Sequence, residues 1–300
     1  MAKQKRKKKR SAPKERAQAP AASDTRAPGA IGYLKWVTLG TWAKADERAL
    51  AYRQQRADEG LGPDWRPMVT LVMAALILTA LHYLGKGQGF DAYVERFVDA
   101  DWAADPRSPI YQANEKLWWT CWRIGGYLVL PALFVKLILK ERLRDHGLTT
   151  EGFRSHLAIY GVCLLVVLPL VALVSYEPTF QSKYPMYAFA GRSISDLLWW
   201  EVLYAMQFFS LEFFFRGHWL HVCERTMGSH AIWAMMVPYC LIHFGKPWPE
   251  TVGAIVAGLA LGTLALRYRS IWAGFLVHVS VAVSMDVASL IQRGELPTEW

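Results

Sequence analysis

The chain has 300 residues, is 53% hydrophobic with 14 Trp, and carries a formal net charge of +9. That charge is local: residues 1–16 hold nine Lys or Arg against Glu15, so the tail contributes +8 and everything after it only +1. This excludes a basic nucleic-acid-binding domain. The apolar runs further on favour one polytopic membrane domain over a pair of soluble domains.

Residues 1–30 are Lys, Arg, Ala, Pro and Ser. They cannot bury a core and are expected to form a disordered basic tail beside anionic lipid, a more economical reading than an RNA contact. No short apolar region follows the charged N-terminus directly, so a cleavable signal peptide is not expected. Residues 31–66 mix Trp36, Trp42 and Leu50 with charged side chains and read as an amphipathic interfacial segment closed by Pro63 and Pro67. Membrane helices are predicted over about 67–84, 117–139, 157–175, 195–223, 230–244, 250–266 and 271–291. An acidic loop separates the first two, and Trp118, Trp119 and Trp122 suit an interfacial belt. The fifth span is shorter than the roughly 20 residues a straight crossing needs. The expected fold is therefore an all-α, polytopic integral membrane helix bundle of about seven transmembrane helices. Residues 67–194 would form its N-terminal helices and 195–291 its functional core.

Lys and Arg cluster in the tail, in 140–156, in 216–225 and in 267–269. Alternate loops are thus basic, which places the N-terminus in the cytoplasm. The four cysteines form no CxxC pair and are expected as buried free thiols. Ala254, Gly258 and Gly262 recur every four residues, a spacing that lets two membrane helices approach closely.

The chemistry concentrates in the late spans. Phe208 to Gly217 reads FFSLEFFFRG, an aromatic run with one carboxylate, Glu212, and one guanidinium, Arg216, four residues on. On a helix that spacing puts both on one face. Ionisable groups at membrane depth are costly and usually mark function, although a structural ion pair between helices is the plain alternative. His243, His278 and Asp286 are three other polar groups in or at the ends of these spans. Each His taken singly is more often a satisfied core residue than a catalyst. Together, a carboxylate able to act on water and an imidazole able to meet an oxyanion or protonate a leaving amine fit amide hydrolysis. No GxSxG or HExxH motif is present. No cofactor is expected, with a zinc ion held by His, His and Glu left open. His218 and His221 are read as interface residues.

The segment 195–286 resembles the CPBP intramembrane proteases, the family of type II CAAX prenyl endopeptidases and of bacteriocin-processing or immunity proteins. The family motif EExxxR is matched by LEFFFRG at Glu212 and Arg216, FxxxH by Tyr239 to His243, and HxxxN/D by His278. The resemblance implies that Glu212 and His243 activate water, that His278 serves the oxyanion, and that Arg216 completes the set. Two positions depart from it. Leu211 stands where the family has its first Glu, commonly given the base role, and Ala282 stands where it has a polar partner for the second His. The expected function is an intramembrane endopeptidase acting on a membrane-anchored, lipidated or C-terminal sorting-signal substrate, placed by family style in a bacterial inner membrane. Its partners would be the lipid bilayer and a peptide or protein. The alternatives are a catalytically silent immunity or peptide-binding membrane protein, and a transporter or proton-relay protein.

Overall fold

A computed structural model describes residues 29–151 and 153–300. The disordered-tail expectation therefore lies outside the described residues, apart from the last two positions assigned to it. All regular structure among the described residues is helical. The α-helices in chain order are α1 Ala30–Val37, α2 Leu39–Asp58, α3 Trp65–Tyr83, α4 Gly87–Phe97, α5 Pro109–Arg123, α6 Leu130–Leu133 and α7 Phe153–Val174. They continue with α8 Pro178–Gln181, α9 Ile194–Glu212, α10 Leu220–Met227, α11 His230–Leu241, α12 Trp248–Tyr268 and α13 Trp272–Arg293. Among the described residues, five helical stretches are long and apolar enough to cross a membrane: Trp65–Tyr83, Pro109–Leu139, Leu157–Val174, Trp248–Tyr268 and Trp272–Arg293. The chain is an integral membrane protein. Its outer helix α7 presents Leu165, Val166 and Leu173 outward, as lipid contact requires.

The central element is the rod formed by α9, a π-helical segment Phe213–Trp219, and α10. Every residue from Ser210 to Glu224 is buried, so this stretch is enclosed on all sides rather than amphipathic. The fourth span thus differs from one uninterrupted α-helix. The wider π turn falls on the Phe-rich run, and such turns recur at functional sites. The second span begins earlier than expected, at Pro109, because Ser108 accepts a hydrogen bond from the Tyr111 amide and Pro109 suits a first helical turn. It too contains π segments, Ile124–Val129 and Phe134–Leu139. The fifth span is only the short helix α11, with Pro238 near its end. At about 1.5 Å per residue it cannot cross a bilayer straight.

The small-residue stripe of α12 packs on α11. A Cβ at Gly258 would meet Met236 at 3.1 Å and the Tyr239 ring at 3.2 Å, and one at Gly262 would meet Met235 and Ile232 at 3.0 and 3.1 Å. Helix α2 lies against the bundle through Thr41, Ala45 and Ala49. From it Asp46 accepts hydrogen bonds from the Ser229 amide and hydroxyl at the start of α11. All four cysteines are free, but only Cys223 is buried; Cys121 is exposed, because α5 turns that face outward.

Candidate active site

Glu212 ends α9, and the π turn that follows carries Arg216 back beneath it. Arg216 Nη1 lies 3.1 Å from Glu212 Oε1, and the two side chains are 0% and 1% exposed. Helix α13 brings His278, whose Nδ1 lies 2.6 Å from the same Oε1. Gly274, four residues earlier on α13, is what allows this approach. A Cβ there would stand 3.0 Å from Glu212 Oε2. Helix α11 brings Tyr239. Its hydroxyl lies 2.7 Å from His278 Nε2, and its ring sits under Arg216 with the guanidinium carbon 3.9 Å from the centroid. His243 follows the end of α11, with Nδ1 2.8 Å from the Tyr239 carbonyl oxygen and its ring edge-on to Tyr239 at 4.9 Å. Phe208 stacks on His278 at 5.0 Å.

The hydrogen bonds fix where protons sit. As a carboxylate Glu212 can only accept, so Nδ1 of His278 carries a proton; with the ring neutral, Nε2 is then an acceptor and Tyr239 donates its O–H. The Tyr239 carbonyl also only accepts, so His243 donates through Nδ1 and keeps a lone pair on Nε2. Two features stay open. Glu212 Oε2 and all three guanidinium nitrogens of Arg216 have no hydrogen-bond partner among the described residues. A buried cluster with a spare carboxylate oxygen, a spare imidazole lone pair and a guanidinium without hydrogen bonds can accept a proton and can stabilise negative charge.

The structure brings Glu212, Arg216 and His278 into direct contact and joins His243 to them through Tyr239. It does not bring Asp286 to them: that carboxylate accepts a hydrogen bond from Trp200 Nε1 at 2.6 Å, two turns along α13. Leu211 points into the apolar cluster with Tyr127 and Phe214, and Ala282 into the one with Trp200, Tyr204 and Phe208. Among the described residues no group of three His, Cys, Asp or Glu could hold a metal ion. The imidazole of His243 meets the Tyr239 carbonyl and ring.

Sequence reasoning missed three things. Tyr239 was read only as a conservative match, although a hydroxyl in an otherwise apolar helix was the signal. Gly274 went unremarked. His218 and His221 are not interface residues: both are buried, because the rod that carries them is enclosed. His221 donates through Nδ1 to the Arg216 carbonyl at 2.8 Å, and His218 stacks on His146 at 6.0 Å. His146 in turn bonds Glu141 at 2.8 Å, which also takes Arg225 through two hydrogen bonds of 2.7 and 2.5 Å. Burial pushes the Glu141 carboxyl up, but the hydrogen bonds from His146 and Arg225 outweigh it and hold it well below the ordinary carboxylate range.

Comparison with known proteins places this geometry. Residues 193–284, which span all the groups gathered around Glu212, match the family model described as type II CAAX prenyl endopeptidase Rce1-like. No curated protein and no solved structure matches the chain. The matched segment runs from the start of α9 to the middle of α13, and over that third of the chain the protein is similar to the Rce1-like family.

Proposed function

We propose that the protein is an intramembrane endopeptidase in which Glu212 is the central carboxylate. It would hydrolyse a peptide bond in a membrane-anchored, lipidated or C-terminal sorting-signal substrate. The observation that carries this reading is the state of Glu212: fully buried, tied through Oε1 to Arg216 and His278, with Oε2 unpartnered beside Gly274. A purely structural pair would be expected to satisfy both oxygens.

In this reading Oε2 of Glu212, with the Nε2 lone pair of His243, takes a proton from water as the water oxygen bonds to the scissile carbonyl carbon. The carbonyl π electrons move onto oxygen, and the Arg216 guanidinium is the charge left to meet that oxyanion. When the C–N bond breaks, the proton passes to the leaving amine. His278, with both nitrogens engaged, holds Glu212 in place rather than donating to the oxyanion. The membrane would be a bacterial inner membrane with the N-terminus in the cytoplasm. The basic clusters at 140–156, 216–225 and 267–269 support that orientation, and the tail would lie near anionic lipid.

The apolar packing of Leu211 and Ala282 favours a second reading, a catalytically silent member that binds a peptide as an immunity protein does. Processing assays in the native cell separate the two. Loss of substrate processing in Glu212→Gln, His243→Ala and His278→Ala, with membrane expression intact, supports the peptidase. A phenotype preserved in Glu212→Gln supports binding.

A further inference from the structure

Tyr239 occupies a position from which its hydroxyl reaches His278. Its ring is held on three sides: edge-on to Phe215 at 5.4 Å, under Arg216 at 3.9 Å, and against Gly258, where any Cβ would come within 3.2 Å of the ring. The side chain is 1% exposed, so its O–H must find a partner inside the protein. That partner is Nε2 of His278 at 2.7 Å, and the opposite edge of the same imidazole meets Glu212 at 2.6 Å. Three side chains from three helices thus form one line: Tyr239 of α11, His278 of α13, Glu212 of α9.

The line matters because of what is missing beside it. Position 282, one turn beyond His278 on α13, holds Ala, packed among Trp200, Tyr204 and Phe208. Nothing on α13 itself fixes the His278 ring or its tautomer. Without a donor at Nε2, the proton could sit on either nitrogen. One of the two arrangements would set a lone pair of Nδ1 against the Glu212 carboxylate, acceptor against acceptor.

We propose that Tyr239 is the positioning residue of this site: by donating its O–H to Nε2 it keeps the His278 proton on Nδ1, aimed at Glu212 Oε1, and so turns Oε2 toward the space at Gly274. The hydroxyl arriving from α11 substitutes for the polar group that α13 lacks. This assignment rests on the peptidase reading for its catalytic consequence but not for its geometry. The stripe of α12 serves the same end, since Gly258 admits the Tyr239 ring and fixes how deep α11 sits.

The test uses Tyr239→Phe in the full-length protein. The substitution removes only the hydroxyl and keeps the ring under Arg216, so the variant is expected to fold, with a thermal midpoint lowered by no more than the loss of one buried hydrogen bond. Two readouts are taken. The first is nitrogen-15 NMR of imidazole-labelled protein in detergent micelles, with His278→Gln used to assign the His278 signals. Wild type is expected to show a single tautomer protonated on Nδ1, and Tyr239→Phe a mixture or the reverse tautomer. The second is cleavage of a membrane-tethered peptide in proteoliposomes, where kcat is expected to fall by roughly 100-fold, the scale of a misplaced reacting group, with KM unchanged. An unaltered tautomer in Tyr239→Phe overturns the proposal, as does an unaltered kcat. If wild type cleaves nothing, the peptidase reading fails, and the NMR readout alone still decides the positioning role.

Discussion

The pair at the centre of the site gives the sharpest energetic expectation. Glu212 and Arg216 are both essentially without solvent contact and lie 3.1 Å apart. Arg216→Met strips the carboxylate of its counter-charge and leaves it only His278. Glu212→Gln removes the carboxylate charge that faces the guanidinium at 3.1 Å, and none of the guanidinium nitrogens has a hydrogen-bond partner among the described residues. Removing one member of a buried pair leaves an uncompensated charge, worth about 3–5 kcal/mol. Removing both leaves neither charge, and the Gln amide can still meet His278. The double variant is therefore expected to be more stable than the Arg216→Met single, with a coupling energy above about 2 kcal/mol in the double-mutant cycle. Unfolding of the four proteins in one mild detergent, followed by tryptophan fluorescence, measures it. Additive losses would refute the reasoning, as would single variants within about 1 kcal/mol of wild type, because the charges would then be solvated in a way their burial denies.

Gly274→Val is expected to displace Glu212, costing about 1–3 kcal/mol by overpacking and abolishing any cleavage. In Gly274→Ala the clash is offset by a helix-propensity gain of about 1 kcal/mol, so stability changes little while activity still falls. Paired thermal melts and cleavage assays check both. Gly228→Ala should destabilise the junction of α10, α11 and α2: its φ is 58°, and a Cβ would lie 2.3 Å from Asp46 Oδ1. At ψ −136° the backbone lies in a region essentially confined to Gly, which costs another residue about 1–3 kcal/mol, and displacing Asp46 removes its bonds to Ser229. A melt no lower than that of wild type would contradict this. Glu141 supplies a pH dependence. Its carboxyl is depressed in the folded state, so the stability it contributes is present above the unfolded value, about 4.3, and is lost as pH falls through the lower folded value. Glu141→Gln should be less stable than wild type at neutral pH, with the difference shrinking under strong acid. Parallel unfolding curves at all pH values would argue against it.

The late-span chemistry was legible because it depends on local order. Glu212 and Arg216 are four residues apart, and that spacing brings them together even though the helix widens into a π turn between them. His243 and His278 were legible as polar groups in apolar runs. Their meeting was not, since it requires α11 to stop short and α13 to approach at Gly274, both properties of packing between helices. The same holds for Asp286. Its partner, Trp200, lies 86 positions away, and no periodicity in either helix announces the bond. His218 and His221 looked interfacial because basic residues surround them. Their burial follows from the enclosure of the whole rod, which a single helix cannot reveal. Tyr239 shows the limit most directly: its hydroxyl was visible in the sequence, but its target depends on the depth to which Gly258 lets α11 sink.

The central claim is that Glu212 directs hydrolysis within the membrane. Purified wild type and Glu212→Gln, each shown to be folded, would be placed in proteoliposomes with a membrane-tethered peptide in oxygen-18 water, and the products read by mass spectrometry. Cleavage by wild type alone, with one heavy oxygen in the new C-terminal carboxylate, is the expected result. Equal cleavage by both proteins, or none by either across a panel of tethered peptides, would contradict it.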